Sequence, residues 1–201
     1  MQAPSAVCND ITVYLNGLGT ATVLSTQIGI NSTDNCSGAL TLSPTSTLLN
    51  CTNIGDNNIV LTVTDGNDNT STCVATVTVV DLIPPAFTCP DPITAVCAAD
   101  EQPVYTDLAT FLAAPGAAAD DNCALDAASF ILESETDNGL SCPKTITRVY
   151  RVADQSGNTA TCSQTISIDD NEAPELIGLP TEATVTGDCT GDLPVIPTVT
   201  A

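Results

Sequence analysis

Residues Asp65-Gly-Asn-Asp-Asn69-Thr-Ser-Thr-Cys73-Val-Ala-Thr-Val-Thr-Val-Val-Asp81 recur 89 positions later as Asp154-Gln-Ser-Gly-Asn158-Thr-Ala-Thr-Cys162-Ser-Gln-Thr-Ile-Ser-Ile-Asp-Asp170. The match needs no gap, and seven of its 17 positions are identical. Working outward, Asp34-Asn35-Cys36 recurs as Asp121-Asn122-Cys123, Cys51 as Cys142, and Asp81…Pro85 as Asp170…Pro174. Self-similarity at a fixed period marks a repeat architecture. The expected division is a first repeat at 1–81, a second at 82–170 and an incomplete third at 171–201.

Each repeat reads as β. Val60–Thr64 and Val74–Val80 alternate apolar residues with Thr, the period of a half-buried strand. Asp65–Asn69 between them is a turn. Ile146–Val152, Asp154–Asn158 and Thr159–Ile168 repeat the pattern. Ile11–Leu15, the turn Asn16–Gly19 and Thr20–Leu24 predict one more hairpin. Only Asp107–Ala114 and Asp121–Ala128 have a helical flavour. Six or seven short strands per repeat predict an all-β fold of tandem immunoglobulin-like sandwiches.

Composition removes many functions. The 201 residues carry 24 acidic side chains, three basic ones (Lys144, Arg148, Arg151) and no His, for a net charge of −21. Such a chain repels phosphate backbones and anionic lipid. Every triad or metal centre that needs imidazole is excluded. Acidic pairs such as Glu133/Glu135 and Asp120/Asp121 have no aromatic subsite beside them, so the chain reads as non-enzymatic. Arg148 and Arg151 are expected to pair with Glu133 or Glu135 across a sheet. No apolar run approaches the length of a membrane span.

Ten Cys with no C-x-x-C pair argue for disulfides made in an oxidising compartment. In a sandwich of this kind the first and last strands run parallel at one edge, so Cys8 is expected to meet Cys73, and Cys89 to meet Cys162. Cys36–Cys51 and Cys123–Cys142 are expected to close the middle segments. Cys97 and Cys189 are left over. Aligning Ile11-Thr12 with Ile93-Thr94 equates Cys8 with Cys89; aligning Ala6-Val-Cys8 with Ala95-Val-Cys97 would instead make Cys89 the odd residue. The start of the chain is not a secretory signal. It is therefore expected to be a piece of a longer exported protein, and the ending Val199-Thr-Ala201 agrees.

Cys8-Asn-Asp-Ile-Thr-Val13, the two Asp-Asn-Cys triplets and Asp154-x-x-Gly-Asn-Thr-x-Thr-Cys162 before a Pro resemble HYR-type (hyalin) repeats. The Cys-rich, Lys-poor variety resembles tandem repeats of large secreted Bacteroidota surface proteins, including gliding-motility adhesins. The resemblance implies an immunoglobulin-like fold, export by the type IX system, a bacterial cell-surface location and an adhesive or stalk role. Three departures stand out. Asp65-Gly-Asn-Asp-Asn69 replaces the usual Asp-x-x-Gly-Asn, Ser156 stands where many relatives carry Cys, and the third repeat begins Gly178-Leu-Pro180 where Cys-Pro is expected.

Calcium is the sharpest site expectation. Asp81-Leu-Ile-Pro-Pro85 and Asp169-Asp-Asn-Glu-Ala-Pro174 lie at the repeat junctions, and the second resembles the Asp-x-Asn-Asp-Asn-x-Pro linkers of cadherins. Hard cations want six to eight oxygens, which Asp/Asn turns supply. The candidate ligands are Asp81, Asp121, Asp154, Asp169, Asp170 and Glu172, with Asp169, Asp170 and Glu172 joining Asp154 or Asp121 at one end of a repeat. The EF-hand-like start at Asp65 lacks the required Gly and Glu and reads as a turn.

The expected function is a structural spacer in a large extracellular adhesin or filament, whose partners are neighbouring repeats of the same or an identical chain. The alternative is a binding module that recognises glycan or protein through loops at one end of a sandwich. Aromatics at those loops discriminate the two, and only Tyr105 and Phe111 are candidates. A third expectation is end-to-end assembly, with 171–201 completed by another chain.

Overall fold

β-Branched residues at every second position build two sandwiches in succession. The computed structural model describes residues 2–36, 38–96, 103–140 and 143–169. The first sandwich contains β1 (Ile11–Tyr14), β2 (Thr20–Thr22), a one-turn helix α1 (Ser25–Ile28), β3 (Thr41–Pro44), β4 (Leu48–Asn50), β5 (Gly55–Thr64) and β6 (Thr70–Val80). One layer has the order β1-β6-β5-β3 and the other pairs β2 with β4. The second contains β7 (Ala86–Thr88), β8 (Ile93–Ala95), α2 (Leu108–Leu112), β9 (Ala118–Asp120), β10 (Leu125–Asp137), β11 (Lys144–Asp154) and β12 (Thr159–Ile168). Its layers are β10-β11-β12-β8 and β7-β9.

The two main sheets are built alike. β1 runs parallel to β6 with Ile11 opposite Val77, and β8 runs parallel to β12 with Ile93 opposite Ile166. Val77 and Ile166 are 89 residues apart, so the structure equates Ile11 with Ile93 and Cys8 with Cys89. All-β tandem immunoglobulin-like sandwiches are the architecture expected from the strand pattern.

Burial follows the period of two. Ala75, Val77 and Val79 of β6 face the first core with Ile59, Leu61 and Val63 of β5. That core is aliphatic and closes on Leu15, Val23, Ile28 and Leu49. The second is aromatic: Phe111 and Tyr150 have no exposed surface, and Phe130 stacks on Tyr150 at 5.6 Å between ring centroids. α2 exists to deliver Phe111. Asp107 caps it by accepting the Thr110 N–H at 2.8 Å, which also holds the Asp107 carboxyl below its usual range.

Two local expectations are corrected. Asn16–Gly19 does not close a hairpin ladder, because β1 pairs with β6 and β2 with β4; the turn is a corner that carries the chain between layers. Asp121–Ala128 is not helical, because Leu125 already pairs with Asp154 and a shift between Asp126 and Ile131 absorbs the extra residues. The departure at Asp65–Asn69 leaves the turn unchanged. Asp68 takes the left-handed conformation (φ 64°) that Gly157 takes in the second sandwich (φ 89°).

Disulfides join Cys8 to Cys73 (Cα–Cα 5.6 Å) and Cys89 to Cys162 (5.3 Å), each tying the entry of a sandwich to its last strand. The pairs Cys36–Cys51 and Cys123–Cys142 are corrected: Cys51 bonds Cys123, Cys36 is free and exposed, and Cys142 lies outside the described residues. The reason is polarity of the strands. Cys36 precedes β3, whose Thr41 faces Thr64 beside the Asp65–Asn69 turn. Cys51 precedes Gly55, which faces Val79 at the opposite pole. A disulfide needs Cα atoms within about 7 Å, so the length of β5 keeps the two apart. Cys97 and Cys189 also lie outside the described residues. Arg148 pairs with Glu135 at 2.7 Å and Arg151 with Glu133 at 3.4 Å, as the sequence predicts.

Candidate metal centre at the junction of two sandwiches

Acidic residues occupy the next inward positions after the core residues end. β6 faces inward at Ala75, Val77 and Val79, and the next step is Asp81, 4% exposed. β11 faces inward at Ile146, Arg148, Tyr150 and Val152, and the next step is Asp154, 3% exposed. Asp154 opens the turn that abuts the first sandwich, and Asp121 follows β9 at the same pole. Ligand oxygens of Asp81, Asp121 and Asp154 lie within 4.8 Å of one another.

Donors hold each carboxylate. The Asp81 Oδ1 accepts from the Ile83 N–H (3.2 Å) and the Asn122 Nδ2 (3.1 Å), and its Oδ2 from the Ser156 hydroxyl (3.5 Å). Asp154 Oδ1 accepts the Asn158 N–H (2.8 Å), while Asn158 Nδ2 donates to Asp154 Oδ2 (2.7 Å) and to the Asp81 carbonyl (3.2 Å). Asp121 Oδ2 accepts the Cys123 N–H at 2.8 Å. Its Oδ1 and the Asn122 Oδ1 are buried without a partner.

Charge at this point is uncompensated by side chains. The three basic residues of the chain pair elsewhere: Lys144 with Asp137 (3.0 Å), Arg148 with Glu135 and Arg151 with Glu133. Two like charges about 5 Å apart repel by roughly 3 kcal/mol at an effective dielectric of 20. The donor set is oxygen only, drawn from three loops of two sandwiches, and two of its buried oxygens lack partners. That chemistry suits a hard divalent cation with flexible coordination.

Asp169, the one further candidate ligand among the described residues, does not gather here. Asp169 follows β12, where its N–H donates to the Ala95 carbonyl at 3.1 Å. Ile168 faces Lys144, at the opposite end of β11 from Asp154. This corrects the expectation that Asp169 joins Asp154 or Asp121. Asp170 and Glu172 lie outside the described residues.

A covalent bond crosses the same junction, and sequence reasoning missed it. Cys51 and Cys123 form a disulfide with a Cα–Cα distance of 5.5 Å. Its sequence separation of 72 resembles the 65 and 73 of the other two, which was the available signal. Gly19 lines the bond. A Cβ there would press on the Asn122 carbonyl and come within 2.6 Å of the Cys51 Sγ, and its φ of +67° already favours glycine. Gly19→Ala is expected to destabilise the protein by about 1–3 kcal/mol, measured by thermal unfolding, without altering either core.

No family model and no curated protein matches the chain. Among solved structures it is similar to human mucin-like protocadherin EC1-2 (12% identity, 85% of this chain and 100% of that one, TM-score 0.39). It is also similar to Drosophila N-cadherin EC1-4 (9% identity, TM-score 0.37), covering 84% of this chain and spanning half the length of that one. Mouse cadherin-23 EC22-24 is a third (12% identity, 84% of this chain and 65% of that one, TM-score 0.31).

Proposed function

We propose that the chain is a spacer segment of a longer extracellular surface protein, an adhesin or filament, with repeats at 1–81, 82–170 and 171–201. The observation that carries the reading is the junction itself. One sandwich contributes Cys51 and Asp81, the next contributes Cys123, Asp121 and Asp154, so that a disulfide and a carboxylate cluster both span the boundary between them. Two attachments at one pole resist both bending and twisting, which suits a chain under tension. Ca²⁺ is the proposed cation: it would replace side-chain repulsion with shared ligation across the joint. The −21 charge is spread along the chain, −6, −10 and −5 over the three segments, as expected of an anionic rod rather than a single cleft.

Buried aromatics support the spacer over the binding module. Phe111 is fully buried, and Tyr105 packs against Phe111 at 5.5 Å and Tyr150 at 5.8 Å. These rings fill a core instead of furnishing a glycan platform. Disulfides support an oxidising, extracellular setting. Resemblance to HYR repeats supports a bacterial cell surface, type IX export and a part in gliding or attachment.

Small-angle X-ray scattering tests the rod. With Ca²⁺ the maximum dimension is expected to be long and independent of ionic strength, and chelation is expected to broaden the distance distribution. Identical profiles in Ca²⁺ and chelator would remove cation stiffening from the account.

A further inference from the structure

The outer pole of the first sandwich duplicates the junction pole of the second, down to its lining. At the junction an open cleft is lined by Ile83, Pro84, Ala86, Asp120, Asp121 and Asn122, with Gly17 reaching in from the preceding sandwich. At the outer pole a cleft is lined by Gln2, Ala3, Ser5, Thr33, Asp34 and Asn35, the six counterparts in the same order. Ser5 bridges Thr33 as Ala86 bridges Asp120. Pro4 and Pro85 are both buried beneath these clefts.

Polar detail agrees as well. Asp34 Oδ2 accepts the Cys36 N–H at 3.0 Å, as Asp121 Oδ2 accepts that of Cys123. Asp34 Oδ1 is buried without a partner, as is Asp121 Oδ1. Asp65, 8% exposed, accepts the Asn69 N–H (2.9 Å) and side-chain amide (2.8 Å), as Asp154 accepts those of Asn158. What the outer pole lacks is what the preceding sandwich supplies at the junction: the thiol of Cys51 and the carboxylate of Asp81. Cys36, the counterpart of the bonded Cys123, is free and exposed.

We propose that this pole receives the opposite pole of another repeat of the same kind, and that Cys36 bonds that repeat's counterpart of Cys51. The incoming counterpart of Asp81 would join Asp34 and Asp65 in a second three-carboxylate cluster. The inference rests on the tandem-repeat reading and extends it, since every joint of the rod would then be covalently locked. Bond formation oxidises two thiols. A disulfide oxidant such as oxidised glutathione accepts the two electrons and two protons and leaves as two thiols, by way of a mixed disulfide.

Fusing a second copy of residues 1–81, with its own Cys36 replaced by Ser, ahead of Met1 tests this on the full chain, whose single Cys36 then reports the bond. Met1-Gln-Ala-Pro4 then follows Asp81 as Leu82-Ile-Pro-Pro85 does. After folding with oxidised glutathione, non-reducing peptide mapping is expected to recover Cys36 bonded to Cys51 of the leading copy. Alkylation of Cys36 is expected to fall from complete in the unfused chain to background. A second fusion, with residues 82–170 leading, keeps the Asp-to-Pro spacing and offers Cys142 as donor. Either bond supports the proposal. Cys36 alkylated in both fusions, or captured only as a glutathione adduct, overturns it. A Cys36 bond that forms equally well in chelator leaves this inference standing and counts against the cation reading alone.

Discussion

Chelation of divalent cations is expected to lower the unfolding temperature of the protein by about 10 °C or more. A ligand held at a hundred times its dissociation constant stabilises the folded state by about 2.7 kcal/mol. For a sandwich of this size each kcal/mol shifts the midpoint by about 4–8 °C. The expected behaviour of Asp81→Asn separates ligation from ordinary hydrogen bonding. Asparagine keeps an acceptor for the Ile83 N–H but removes one of three neighbouring charges. In Ca²⁺ the variant is expected to be less stable than wild type. In chelator it is expected to be at least as stable, because a repulsion has been relieved. If Asp81 were only a hydrogen-bond acceptor, the variant would lose the same stability in both conditions. Calorimetric scans of both proteins, with and without Ca²⁺, distinguish the two.

Removing the inter-sandwich disulfide is expected to have an effect of similar size and a different form. The double substitution Cys51→Ser/Cys123→Ser avoids a stranded thiol. The bond closes a loop with a sequence separation of 72, worth about 4 kcal/mol in the chain-entropy model. Much of that constraint couples one sandwich to the other, so the variant is expected to show two resolved unfolding transitions where the parent shows one. The variant is also expected to respond more strongly to chelation, since the carboxylate cluster becomes the remaining fastening at that pole. Chelator and the double substitution acting independently would mean that the two contacts do not share a joint.

Local periodicity made most of the fold legible. The Thr/Val alternation located β5, β6, β11 and β12, because a strand that buries one face must alternate. Cys8 and Cys73 were placed by the parallel pairing of first and last strands, which the repeat's own pattern implies. The failures share a physical cause. Whether Cys51 is near Cys36 or Cys123 depends on which pole of the sandwich each reaches, and that is set by the register of β5 over ten residues. Asp169 and Asp154 look close in a list of junction acids, yet they stand at opposite ends of β11. Asp81 was nominated from its place before Pro84-Pro85. Its inward-facing position continues the period of two along β6, but its meeting with Asp121 and Asp154 follows from packing between sandwiches, which no single repeat encodes. Phe111 falls in a stretch of helical flavour and among the candidate loop aromatics, because a helix as short as α2 shows no period that tells its inward face; the structure places it at the centre of a core.

Isothermal titration of Ca²⁺ into chelator-treated protein, alongside Asp81→Asn and Asp154→Asn, addresses the junction most directly. A heat of binding in the wild type that each substitution abolishes or strongly weakens is the predicted result. A wild type that binds no Ca²⁺, or substituted proteins that bind it as the wild type does, would contradict a cation-fastened joint.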